Sequence, residues 1–123
     1  MAFRILLADD SPFWREQICS ILEDDTGWTV FQATNGAEAV QKAMWVQPDA
    51  VVLDVAMPVM DGLGAAHALR RLSPRTPVLI ATVDKSAFLE VAAREAGVLR
   101  VFSKMECLEL CEFLKRTFQS KAA

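Results

Sequence analysis

The sequence predicts a doubly wound α/β fold, with five parallel strands and five helices in a (βα)5 order and helices on both faces of the sheet. Two observations predict it. Five short apolar runs rich in Val, Ile and Leu recur along the chain, and runs of this length are typical of buried parallel strands. Segments with helical periodicity separate them, an alternation typical of a parallel sheet crossed by helices. No repeat or linker interrupts the pattern, so we expect one domain over residues 1–123.

The composition supports a single folded domain and excludes several classes of protein. Hydrophobic residues make up 53% of the chain and charged residues 24%, which argues against disorder. The net charge is −3, and we interpret the densest basic cluster, Arg70, Arg71 and Arg75, as a solvated helix end, so we expect no direct nucleic-acid contact. There is no signal peptide and no apolar stretch of about 18 residues. We therefore expect no membrane contact. The three cysteines are an odd number, which favours reduced thiols and predicts a cytoplasmic protein.

The first strand, Phe3–Ala8, is the longest of the apolar runs. Ser11-Pro12 then predicts the N-cap and first residue of a helix, which runs to about Leu22. The polar residues 24–27 predict a turn before the second strand, Thr29–Ala33.

The second helix is predicted to begin at Asn35-Gly36, because Glu38 stands where its side chain can reach back to the cap. A proline ends this helix before the third strand, Ala50–Leu53. The third helix follows Asp61-Gly62 and runs to about Leu72.

The last part of the chain repeats the alternation twice. A strand at Val78–Ala81 precedes a helix from near Lys85 to Ala96, with Gly97 in the position that favours a left-handed C-terminal cap. The fifth strand is Arg100–Phe102, and the last helix runs from about Glu106 to Phe118, followed by a frayed tail to Ala123.

Periodicity does not determine the order of the strands in the sheet. The flavodoxin-like order 2-1-3-4-5 is the common arrangement for five parallel strands, and right-handed crossovers place the helices on both faces. In this order the first and third strands are neighbours, so the residues that follow them should meet.

Residues useful for phosphate chemistry follow four of the five strands. Asp9 and Asp10 follow the first strand, Asp54 the third and Thr82 the fourth, while Lys104 comes shortly after the fifth. The carboxyl ends of parallel strands line the ligand crevice, so these groups should meet at one edge of the sheet. Two carboxylates 4 Å apart repel by about 4 kcal/mol at a surface-like dielectric, and a hard divalent cation relieves this repulsion. The pattern therefore predicts a site for a divalent metal and a phosphoryl group, where a carboxylate could attack phosphorus.

Several segments resemble the response-regulator receiver domain of bacterial two-component systems, and together they cover essentially the whole chain. These segments are residues 5–11, 34–39, 53–62, 77–82 and 96–104. The most specific is residues 53–62, Leu-Asp-Val-Ala-Met-Pro-Val-Met-Asp-Gly, which matches the phospho-acceptor segment of that family closely.

The resemblance implies a metal site built on the acidic residues. Asp10 and Asp54 would ligate Mg²⁺ (or Mn²⁺) directly, and the backbone carbonyl of Ala56 would supply a third protein ligand. Asp9 would act in the outer shell, through water.

The resemblance also implies the phosphate chemistry and the partners. Asp54 would be phosphorylated, Thr82 would be the switch hydroxyl, and Lys104 would pair with Asp54 or its phosphate. The phosphoryl donor would be a sensor histidine kinase or phosphotransfer protein, or a small phosphodonor in its absence. The domain would be no enzyme beyond its own phosphorylation and dephosphorylation. With no output domain in this chain, it would signal to a downstream protein or a missing output domain through the face of its fourth helix, fifth strand and fifth helix.

Four positions are expected to modulate this site: Ala56, Val83, Asp84 and Val101. Val101 stands where the family usually has an aromatic residue, and Phe102 should point to the opposite face of the strand. Val83 stands where a smaller residue is usual and would narrow access to the phosphate, while Asp84 adds a negative charge near the rim.

Two other classes of protein use similar features. A haloacid dehalogenase-type hydrolase also has an Asp nucleophile and magnesium, but it requires an acid two residues after the nucleophile, where this chain has Ala56. A pseudo-receiver has the same fold, binds proteins and is never phosphorylated; the intact acids, Thr82 and Lys104 argue against it. The chain has no Walker loop, so nucleotide hydrolysis has no support.

Overall fold

The computed structural model describes the backbone of residues 3–122 and the side chains of residues 3–118. The strands are β1 Arg4–Ala8, β2 Thr29–Ala33, β3 Ala50–Leu53, β4 Val78–Thr82 and β5 Arg100–Ser103. The helices are α1 Pro12–Thr26, α2 Gly36–Val46, α3 Gly62–Leu72, α4 Ala87–Glu95 and α5 Cys107–Ala122, the last preceded by a 3₁₀ turn at Lys104–Glu106. All strand pairs are parallel and the order is β2-β1-β3-β4-β5, so the predicted fold and strand order are confirmed.

The predicted end of the first helix was wrong by a turn. α1 continues past Leu22 to Thr26, and Gly27, at φ 75°, donates its backbone N–H to the carbonyl of Glu23. The Thr26 hydroxyl also donates to the Leu22 carbonyl. The polar residues read as a turn therefore form the last turn of the helix, and only the glycine has the left-handed conformation that ends it.

The last two helices also differ from the prediction at their ends. α4 begins at Ala87, two residues later than predicted, because the Ser86 hydroxyl accepts the N–H of Leu89 as an N-cap. Gly97 has φ 84°, as its predicted capping position requires. The predicted frayed tail after Phe118 is wrong as far as Ala122, where the backbone is still helical; residue 123 lies outside the described residues.

Two hydrophobic cores lie on the two faces of the sheet, and β3 and β4 are buried along their whole length. One core packs the sheet against α1 and α5, and the other packs it against α2, α3 and α4. Phe102 belongs to the first core and Val101 to the second, which confirms that these neighbours point to opposite faces. The sheet is therefore a packed support, and the residues at and after the carboxyl ends of its strands form the rim.

Two of the three cysteines are buried and all three are free. Burial raises the pKa of the Cys19 and Cys111 thiols to about 11, which makes them packing residues and not nucleophiles. In the part of the chain that the structure describes, no helix is both long and apolar enough to cross a membrane.

Candidate functional site

The acidic residues meet at the carboxyl end of the sheet because their strands are neighbours. Ala8 of β1 is in register with Leu53 of β3, so Asp9 and Asp54 follow at adjacent positions. Their backbones are also fixed, since Asp9 donates its N–H to Ala33 and Asp54 donates to Ala8, at 3.1 and 2.9 Å. Carboxylate oxygens of Asp9, Asp10 and Asp54 all lie within 4.8 Å of one another.

Lys104 bridges the two buried carboxylates of this cluster. Asp9 and Asp54 are 0% and 4% exposed, whereas Asp10 is exposed. The Lys104 ammonium lies 2.6 Å from Asp9 Oδ2 and donates a hydrogen bond to Asp54 Oδ2 at 3.1 Å. Among the described residues, the Lys104 ammonium is the partner of Asp9 Oδ2, and it links this oxygen to Asp54.

The charges of the site do not balance. Burial, followed by the neighbouring charge of Asp9, raises the pKa of Asp54, and the Lys104 ammonium only partly opposes this. Burial lowers the pKa of Lys104, but the hydrogen bonds and charges of Asp9 and Asp54 outweigh it and hold that pKa above its ordinary value. One ammonium thus faces three carboxylates. A divalent cation with oxygen ligands fits this donor set.

Two glycines hold the loop that follows Asp54 against the sheet. Gly62 donates its N–H to the Val55 carbonyl, and Gly36 donates to the Met60 carbonyl, both at 2.9 Å. A Cβ atom at Gly62 would collide with the Asp54 carbonyl, and one at Gly36 with the Met60 carbonyl. The sequence predicted these glycines at the starts of two helices. Their close approach to the loop that follows Asp54 depends on tertiary packing.

The other predicted site residues lie around the rim at different depths. Thr82 is buried at the end of β4, in register with Ser103 of β5. Val83 is 78% exposed and Asp84 is also exposed, so neither covers the acids from within the core. Ala56 lies exposed in the loop after β3.

Val101, one of the positions expected to modulate the site, does not lie at the rim. Val101 is buried in the core that contains α2, α3 and α4, so it can act on the site only through packing. His67, the histidine of the chain, is exposed on α3.

Residues of α1 and of the turn after β5 support the site in ways that the sequence reasoning missed. The Trp14 ring lies against Lys104, with its centroid 5.2 Å from the ammonium nitrogen. Arg15 donates from Nη1 to the Asp9 carbonyl at 2.6 Å. Ser103 and Glu106 form a reciprocal capping box around Lys104. The Ser-x-x-Glu pattern of this box was visible in the sequence, whereas the contacts of Trp14 and Arg15 left no sequence signal beyond their place in the first turn of α1.

Comparison with known proteins identifies relatives of the whole domain. The family model of the response regulator receiver domain matches residues 5–115. A protein-glutamate methylesterase/protein-glutamine glutaminase of Vibrio parahaemolyticus is 36% identical over 107 residues, which are 85% of this chain and 29% of that protein. The chain thus spans less than a third of the length of this relative.

Solved structures have the same fold. A response regulator receiver domain protein (CheY-like) from Methanospirillum hungatei superimposes with a TM-score of 0.89 at 23% identity, covering 98% of this chain and 96% of that chain. At this identity the likeness shows the fold alone. The chemotaxis protein CheY4 of Vibrio cholerae superimposes with a TM-score of 0.84 at 30% identity, covering 94% and 98% of the two chains.

Proposed function

Because this chain belongs to the response regulator receiver domain family, we propose that residues 1–123 form a single phospho-acceptor signalling domain that is phosphorylated on Asp54. The observation that carries the proposal is the buried Asp54 carboxylate, which lies within 4.8 Å of two other carboxylates and accepts a hydrogen bond from Lys104. A structural carboxylate would not need two further acids beside it, because their repulsion opposes folding.

In the proposed reaction a carboxylate oxygen of Asp54 forms a bond to phosphorus while the bond from phosphorus to the donor breaks. The product is an acyl phosphate on Asp54. Lys104 would neutralise negative charge on the phosphoryl oxygens, since its ammonium already contacts the attacking carboxylate. The hydroxyl of Thr82 would donate a hydrogen bond to the product from the end of β4. The domain would catalyse no reaction beyond its own phosphorylation and dephosphorylation.

The acidic cluster would also hold a divalent metal, Mg²⁺ or Mn²⁺. Asp10 and Asp54 would be direct ligands together with the backbone carbonyl of Ala56, and Asp9 would act through water. The fit is supported by the donor set, which is all oxygen, and by the excess of carboxylates over ammonium groups at this point among the described residues. When bound, the metal would screen the charge of the incoming phosphoryl group.

The partner that supplies the phosphoryl group would be a sensor histidine kinase or a phosphotransfer protein. Phosphorylation would be read by a downstream protein, or by an output domain, at the face formed by α4, β5 and α5. Exposed apolar side chains on two of these elements support that role: Phe88 and Val91 on α4 and Leu108 on α5. We infer a cytoplasmic location, which the three free thiols support.

Intact mass after incubation with acetyl phosphate and Mg²⁺ tests this proposal. Wild type should gain one phosphoryl group and Asp54→Asn none. Asp24→Asn, which removes an exposed carboxylate in the last turn of α1, is the matched control and should gain the group like wild type. A wild type that gains no mass would contradict the proposal and favour an unphosphorylated protein-binding module. Equal gain in Asp54→Asn would contradict the assignment of the nucleophile.

A further inference from the structure

The indole ring of Trp14 forms one wall of the pocket that holds the Lys104 ammonium. The ring centroid lies 5.2 Å from Lys104 Nζ, within the range of a cation–π contact. Trp14 is 8% exposed and the Lys104 side chain 14% exposed, so little water reaches the space between them. The contact is therefore stronger than the same pair would make on an open surface.

Hydrogen bonds connect the backbone that carries this ring to Asp9. Ser11 accepts the N–H of Trp14 on its side-chain oxygen and donates its own N–H to Asp9 Oδ1. Arg15, the next residue of α1, binds the Asp9 carbonyl. The first turn of α1 and the acid that pairs with Lys104 thus form one connected unit.

The ammonium could in principle approach any of the three clustered carboxylates. Among the described residues it pairs with Asp9 and Asp54 and not with Asp10, the acid proposed as a direct metal ligand. A lysine side chain has many rotamers, and two carboxylates alone do not select one direction of approach. The Trp14 ring provides a third contact from the direction of α1.

We propose that Trp14 is a positioning residue, whose ring holds the Lys104 ammonium on Asp9 and Asp54 before a phosphoryl group arrives. This inference rests on the proposed phosphorylation of Asp54. A prepositioned ammonium needs no reorganisation when negative charge develops on the phosphoryl oxygens. It also leaves Asp10 available to a cation. Loss of the ring should therefore slow phosphorylation through Lys104.

Trp14 also belongs to the hydrophobic core, so the test must separate positioning from packing. Trp14→Leu removes the aromatic face and Trp14→Phe retains one. Trp28→Leu is the matched control, because Trp28 is buried in the same core and packs on Phe3, with ring centroids 4.5 Å apart. All rates are measured at a temperature where circular dichroism shows each variant to be folded.

With acetyl phosphate and Mg²⁺, Trp14→Leu should be phosphorylated roughly fivefold more slowly than wild type, the size expected for loss of one cation–π contact. Trp14→Phe should recover most of this rate, and Trp28→Leu should keep the wild-type rate. In a Lys104→Met background, Trp14→Leu should cause no further loss, because the ring acts only through the ammonium. A Trp14→Leu rate equal to or faster than wild type, or the same loss with and without Lys104, would overturn the inference.

A second measurement requires no change at Trp14 and no phosphorylation. The indole N–H of Trp14 is buried and has no hydrogen-bond partner among the described residues, so its NMR resonance is sensitive to a nearby charge. Lys104→Met should shift this resonance in metal-free protein, while those of Trp28 and Trp45 stay in place. An unshifted Trp14 resonance would overturn the inference even if Trp14→Leu fails to fold. Absence of phosphorylation in wild type would instead contradict the proposed function, and the indole shift would still test whether the ring contacts the ammonium.

Discussion

Asp54 lies in surroundings that oppose its own negative charge. Burial and the charge of Asp9 raise its pKa, and Lys104 only partly offsets them. Ionised Asp54 is the form that can attack phosphorus, so the protein carries an unfavourable charge in the resting state. A group whose pKa is raised by folding lowers stability above that folded pKa, and the cost disappears as the pH falls through the folded pKa toward the unfolded value.

Substitution of Asp54 by Asn should therefore stabilise the metal-free protein. We expect a gain of up to about 4 kcal/mol at neutral pH, the repulsion of one carboxylate pair at a surface-like dielectric, reduced by loss of the Lys104 ion pair. The gain should shrink as the pH falls through the raised pKa of Asp54 and vanish below the pKa of an unfolded aspartate, where wild type is also neutral at this position. Urea unfolding of both proteins without metal across this pH range measures it. A destabilised Asp54→Asn at neutral pH would mean that the Lys104 ion pair outweighs burial and repulsion.

The sequence predicts which side chains carry the site better than it predicts what supports them. Asp9, Asp10, Asp54 and Lys104 each follow a strand, and the parallel sheet alone brings such positions together. The contact between Trp14 and Lys104 depends on side-chain directions from two distant parts of the chain. No periodicity encodes such a contact, so only the structure reveals it.

At the scale of elements, helix ends are where sequence and structure differ most. The strand cores are predictable because apolar runs of this length have few other uses. The last turn of α1 contains two Asp residues and a Thr, which are weak helix formers, so local propensity favours a turn there. The Gly27 N–H and the Thr26 hydroxyl donate to carbonyls of this turn and oppose that preference, and Lys115 of α5 also pairs with Asp25 at 3.0 Å.

The loop that follows Asp54 packs so closely on Gly62, at the start of α3, that no side chain fits there. Gly62→Ala should destabilise the protein by roughly 2 kcal/mol or more, because the new Cβ would overlap backbone atoms of Asp54 that cannot move without displacing the nucleophile. Gly64→Ala is the matched control in the same helix. Its Cβ would meet mainly the Met60 side chain, which can adjust, and alanine favours the helix, so its stability should change little.

Thermal melts compare these two variants with wild type, and the phosphorylation rate of each folded variant shows whether the nucleophile has moved. Equal midpoints for Gly62→Ala and wild type would show that the loop yields without cost.

For the whole molecule, the sheet concentrates negative charge at one point. Three carboxylates follow the central strands β1 and β3. Among the described residues, Lys104 is the cation of this cluster, and it pairs with two of the three, Asp9 and Asp54. The two cores on either side keep the backbone from relaxing to separate the acids. The fold therefore maintains a local repulsion that a bound cation would relieve.

Mg²⁺ should accordingly stabilise the folded chain. Binding to the native state alone adds about 2.7 kcal/mol when the free metal is one hundred times its dissociation constant, so the thermal midpoint should rise with Mg²⁺ concentration. Asp10→Asn removes a proposed direct ligand and should lose most of this rise, although its metal-free midpoint should lie above that of wild type because one repelling charge is gone. Asp24→Asn, which removes an exposed carboxylate in the last turn of α1, should keep the full rise. An equal rise in Asp10→Asn would place the stabilising ion elsewhere on the protein, and a wild-type midpoint that tens of millimolar Mg²⁺ leaves unchanged would show that the three acids do not bind the metal.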